Sequence, residues 1–134
     1  MDKAAIEDAA ARFVASRRSG VPIDRLPDRC RPDGPLAALA IQDATVRLLG
    51  ERIAAWKVSA PIDGVLMRGA ILASRVFDSP ARIPARLAPM LGVEAEIAFR
   101  FPNGLPARAT EYNYEEVAAA AIALPAIEVV DTRF

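Results

Sequence analysis

Residues 92–101 read GVEAEIAFRF, and the alternation within this stretch governs how the rest of the chain is read. Successive side chains on an extended strand point to opposite faces. Val93, Ala95, Ile97, Phe99 and Phe101 then form one unbroken apolar face, while Glu94, Glu96, Ala98 and Arg100 share the other. Same-face neighbours two residues apart on a strand lie about 7 Å from one another, so the two glutamates repel. Two readings stay open at this point. Either the face is solvated and tolerates the pair, or a cation joins it.

A third acid bears on the choice. Glu128 stands in PAIEVVD, residues 125–131, where Ile127, Val129 and Val130 predict a buried strand. A buried carboxylate requires a cation, a hydrogen-bond network or a raised pKa. The chain has no histidine and one cysteine, so imidazole ligation, Ser-His-Asp triads and Cys-His dyads are excluded. Three carboxylates without nitrogen or sulfur donors suit a hard, oxygen-seeking ion such as Mg2+ or Mn2+.

Working outward from this strand, the predicted class is α+β. Residues 3–18 carry Ile6, Ala10, Phe13 and Val14 on one helical stripe, with Gly20 just beyond the end. A proline-punctuated connector follows, and a second helix is expected to open at Pro35. Its stripe runs through Leu36, Leu39, Val46, Leu49 and Ile53. Gln42 falls on the same stripe, as a hydrogen-bonded structural amide or as a group facing a site. AAWKV then reads as the start of a strand. Residues 60–91 hold turn-forming prolines and glycines around the short apolar runs GAILAS and SRVF, which predicts short strands. Asn113 and Glu116 form a capping-box pattern that opens a helix over YEEVAAAAIAL, with Pro125 ending it before the strand AIEVVD. The organisation expected is a helical segment over residues 1–55 followed by a β-rich region over 56–134.

Composition narrows the classes of function. Seventeen basic and seventeen acidic residues cancel, so no net field draws the chain to nucleic acid or an anionic membrane. Alanine makes up about a fifth of the chain, which favours close-packed helices. The uncharged run VAAAAIALPAI is too short for a bilayer, and the opening MDKAAIEDAA lacks the apolar core of a signal peptide. A single cysteine, Cys30, precludes an internal disulfide and suits a reducing, cytoplasmic setting. Arg29 and Arg31 beside it would favour the thiolate, against the plainer reading of a loop cysteine. Lys57 in AAWKVSAP either snorkels to solvent or serves a pocket as a cation for a substrate carboxylate. Asp63, Asp78, Asp131 and Arg133 read as turn or surface residues.

Three segments, LAALAIQDATVRLLGERIAAWKV, GVEAEIAFRF with LP following, and LPAIEVVDTRF, resemble in the same order the 2-keto-4-pentenoate hydratase and 4-oxalocrotonate decarboxylase group of the fumarylacetoacetate hydrolase superfamily. The resemblance runs from about Leu36 to the last residue. It implies a helical N-terminal segment followed by part of a fumarylacetoacetase-type mixed β-roll. It also implies Mg2+ or Mn2+ held by Glu94, Glu96 and Glu128, with Lys57 as the active-site lysine. In that family the ion chelates a 2-keto acid through its carboxylate and keto oxygens and polarises the carbonyl for hydration, decarboxylation or C–C cleavage, in aromatic-compound catabolism.

The chain departs from the family pattern in three places. Ser59 replaces the glycine after the lysine–valine pair. Counting back from Gly69, the position of an expected aspartate holds Met67, with Arg68 beside it and Asp63 as the nearest other acid. The chain also stops after the third ligand strand, as an N-terminal half of the family fold. A half-roll exposes strand edges and apolar surface, so a homo-oligomer or a complementing second chain is expected. The alternative function is a non-catalytic family member acting as an assembly or small-ligand-binding module.

Overall fold

The structure, a computed structural model, describes residues 1–61 and 64–134. Asp63, the alternative acid in the sequence reading, lies outside the described residues. The chain is α+β, with helices α1 (Lys3–Ser19), α2 (Pro35–Leu49) and α3 (Tyr114–Ala120). Strands β1 (Ile53–Val58) and β2 (Arg68–Leu72) form one antiparallel pair, and β3 (Gly92–Arg100) and β4 (Ile122–Val130) form another. The chain divides into two compact units. The first is Met1–Leu87 with Thr132–Phe134, and the second is Ala88–Asp131. No helix among the described residues is long and apolar enough to cross a membrane.

In the first unit, local chemistry sets the ends of α1. The Asp2 side chain accepts from the Ala5 amide at 2.8 Å, and Gly20 takes the left-handed conformation (φ 73°) that ends the helix. Small side chains let α1 and α2 approach closely. Ala9, Leu26, Cys30 and Ile41 make the buried cluster, with Ile6 and Phe13 packed against it. The connector before α2 thus supplies two of the four core residues. Phe134 closes on the same layer, its ring edge-on to Phe13 at 5.5 Å, while the Ile23 amide donates to the Arg133 carbonyl at 2.7 Å.

The buried face of α2 differs from the leucine stripe expected. Ile41, Ala44 and Thr45 are buried, Leu36 is 70% exposed, and Ile53 belongs to β1. Packing against the alanines of α1 selects this face, and the count of large apolar residues does not. The run SRVF is not a strand. Ser74 and Arg75 lie in a 3-10 turn at Ala73–Arg75, and Val76 and Phe77 follow in irregular chain.

Gln42 is structural. Its amide nitrogen donates to the Arg68 carbonyl at 3.0 Å, and its oxygen accepts from the Ala70 amide at 2.8 Å. One side chain therefore satisfies a donor and an acceptor on β2 and fastens it to α2. Cys30 is buried, and its thiol donates to Asp8 at 3.3 Å. Burial, followed by that bond to Asp8, pushes the thiol pKa up, against the activation suggested by the flanking arginines. Asp8 gathers Arg29 at 2.6 Å and Arg12 at 3.0 Å as well. The hydrogen bond from Arg29, then that from Cys30, hold its carboxyl below the ordinary value of 3.8.

In the second unit, Asn113 accepts from the Glu116 amide and the Glu116 carboxylate accepts from the Asn113 amide, both at 2.9 Å, completing the capping box expected. Arg108 binds that same carboxylate at 2.7 and 2.6 Å and lies 3.7 Å over the Tyr112 ring. The helix is shorter than predicted. It ends at Ala120, and Pro125 lies inside β4 opposite Ile97. Each strand of a two-stranded ribbon has a free edge, and proline is accepted there where its missing N–H would face outward.

Two outcomes test this unit-by-unit description. Gln42→Leu leaves the Ala70 amide and the Arg68 carbonyl without their partner, and is expected to cost about 1–3 kcal/mol in urea melts. Asp8 has a depressed pKa in the folded state, so its contribution to stability is present above pH 3.8 and is lost as pH falls through the lower folded value. Asp8→Asn should therefore flatten the acid limb of a stability–pH curve measured by thermal melting, with little effect on its shape between about pH 5 and 7.

Candidate metal centre

The antiparallel register of β3 and β4 determines which side chains meet. Glu94 lies directly opposite Glu128, and Glu96 opposite Ala126. All three glutamates therefore project from one face of the ribbon, and one carboxylate oxygen from each lies within 4.8 Å of the others. The small Ala126 leaves room beside Glu96. At the start of β3, a Cβ on Gly92 would fall 2.3 Å from a Val130 methyl, so any side chain there would force Val130 or the strand to shift, two pairs from Glu94–Glu128.

The faces of this ribbon reverse the burial expected from the sequence. Glu96 and Glu128 are half-buried, as are Ala98, Leu124, Ala126 and Val130 on the same face, while Glu94 is exposed. The opposite face, predicted as apolar, carries Val93, Ile97 and Phe99 at 64% exposure or more, and Ile127 at 75%. Glu128 thus does not lie in a buried strand. Its apolar neighbours Ile127 and Val129 point to the open side, and the carboxylate occupies the more covered one. Oppositely placed carboxylates repel, and lowered exposure strengthens that repulsion. An oxygen-binding cation is the chemical counterpart of such a donor set.

Lys57 is half-buried in the first unit, on the β1 face it shares with Ile53 and Ala55 and opposite Gly69 on β2. Ser59 continues this pairing, its amide donating to the Met67 carbonyl at 3.2 Å. Beside Met67, Arg68 binds Asp43 of α2 at 3.0 and 2.9 Å and lies 4.9 Å over the Trp56 ring. The position next to the expected acid is thus a cation anchored between helix and strand. No spacing in the sequence pairs Asp43 with Arg68; only the contact of α2 with β2 brings them together. No family model, curated protein or solved structure matches the chain.

If the three glutamates hold a divalent ion, Glu96→Gln or Glu128→Gln weakens Mn2+ binding by on the order of tenfold or more in calorimetric titration. Glu115→Gln, in the first turn of α3, is the control and should leave the affinity unchanged. Binding that survives Glu96→Gln intact would sink the assignment.

Proposed function

We propose that the chain is a divalent-metal-dependent lyase or hydrolase of small 2-keto acids, with Mg2+ or Mn2+ held by Glu94, Glu96 and Glu128. The observation that carries this reading is the convergence of the three carboxylates on the half-buried face of the β3–β4 ribbon. The order of sequence motifs supports the hydratase–decarboxylase group of the fumarylacetoacetate hydrolase superfamily, and with it part of a mixed β-roll. The reaction class is hydration, decarboxylation or C–C cleavage, in a cytoplasmic catabolic setting.

When bound, the ion supplies positive charge that polarises the substrate carbonyl. Glu94, Glu96 and Glu128 provide oxygen donors and offset that charge. The cation for the substrate carboxylate is Lys57, as the resemblance implies; it stands on β1 of the first unit. The uncovered apolar face of the ribbon supports a partner, either another copy or a complementing chain. A non-catalytic binding or assembly role is the second reading, favoured by Met67 and the anchored Arg68 where the family pattern has an acid.

Oxalate, as a stable mimic of a 2-keto acid, should bind the chain only when Mn2+ is present. Lys57→Met should lower oxalate affinity by roughly tenfold, the loss of one charge-assisted hydrogen bond, and leave Mn2+ affinity unaltered. Turnover of oxaloacetate or 2-hydroxypenta-2,4-dienoate by the purified chain decides for catalysis. Metal and oxalate binding without turnover decides for the binding module, and absence of Mn2+-dependent oxalate binding overturns both the enzyme and the ligand-binding module and leaves the assembly role.

A further inference from the structure

A second polar site lies in the first unit, and its charged residues are used by neither the metal reading nor the core. Arg17 and Arg18 stand in the last turn of α1. Arg75 closes the 3-10 turn after β2. With Leu49, Glu51 and Leu72 they line a cavity of about 150 Å3. The turn is held in place from two sides. The Ser74 hydroxyl donates to the Glu51 carboxylate at 2.6 Å, and the Ala73 amide to the Arg52 carbonyl at 2.9 Å.

The charges here do not balance. Three arginines and one glutamate are among the lining residues, in a chain whose total charge is zero. Arg17 loses proton affinity first through crowding by protein, then through the charges of Arg133 and Arg75, with Glu51 a smaller opposing influence. The C-terminal dipole of α1 favours Arg17 and Arg18 but amounts to about half a charge, and it gives no account of Arg75. Arginine presents a planar fork of donors that matches phosphate and carboxylate oxygens, so several arginines facing one small cavity form a receptor for a multiply charged oxyanion.

A cavity of about 150 Å3 has room for a tetrahedral oxyanion with a few waters. We propose that the cavity formed by Arg17, Arg18, Arg75 and Glu51 binds a phosphate dianion, free or as the head of a small phosphomonoester. This site is independent of the carboxylate cluster on β3 and β4, and its assignment stands or falls separately.

The test is calorimetric titration of the full chain with inorganic phosphate at constant ionic strength, balanced with sodium chloride so that general screening cancels. Saturable one-to-one binding is expected. Arg75→Ala and Arg17→Gln should each weaken it by on the order of tenfold, the loss of a charge-assisted bond. Glu51→Gln should tighten it several-fold, because it removes the one negative charge at the cavity and keeps an acceptor for Ser74. That opposite sign cannot arise from a damaged fold, so the proposal stays testable if an arginine variant proves unstable. Glycerol phosphate binding more tightly than inorganic phosphate supports an ester occupant, and equal affinity supports free phosphate. No saturation at constant ionic strength, or affinities within twofold of the parent for both Arg75→Ala and Glu51→Gln, overturns the proposal.

Discussion

The pairing of Glu94 with Glu128 across β3 and β4 is the constraint on which the character of the second unit depends. Two carboxylates placed opposite each other are unfavourable, yet the register that imposes them also sorts every other side chain of the ribbon. A slip by one residue would exchange the faces completely. Gly92 helps to hold the alignment, because its missing side chain is what allows Val130 to close against it. The carboxylate cluster is therefore a property of strand register, and the local environment of each glutamate follows from it.

The first unit rests on a different principle. Ala5, Ala9 and Ala10 give α1 a nearly flat buried face, and the second helix meets it through Ile41, Ala44 and Thr45. Little apolar area is available per residue in such a seam, so directional contacts make a larger share of its specificity. Asp8 joins α1 to the connector through Arg29 and Cys30, and Gln42 joins α2 to β2. These two polar joints tie the connector and the β1–β2 pair to the helical layer.

Much of the local structure could be read directly from residues. Gly20 and Pro35 marked helix ends because each suits the backbone needed there, and Asn113 with Glu116 marked the start of α3 for the same reason. That Glu94 and Glu96 share a face was legible from period-two alternation, whereas Glu128 joins them through the β3–β4 register, which no spacing reveals. Tertiary choices were not legible. Pro125 reads as a helix terminator, yet it is accommodated in a strand with a free edge. The alternation in GVEAEIAFRF reveals that two faces exist but carries no information about which one is covered. Arg17 and Arg75 come from elements far apart in sequence, so no spacing rule joins them.

Thr132–Phe134 belong to the same unit as α1, which gives the connection between the units a topological meaning. The segment from Ala88 to Asp131 leaves the first unit and returns to it, so it is an insertion in a continuous host and not a tail. In polymer terms it is a loop with both ends held. Once the host is folded the ends of the segment are fixed, and the entropy of bringing them together then belongs to the folding of the host. The ribbon is small, and two strands with a seven-residue helix are marginal alone. Its order is therefore conditional. Anything that binds the ordered ribbon in preference to the disordered one shifts that balance.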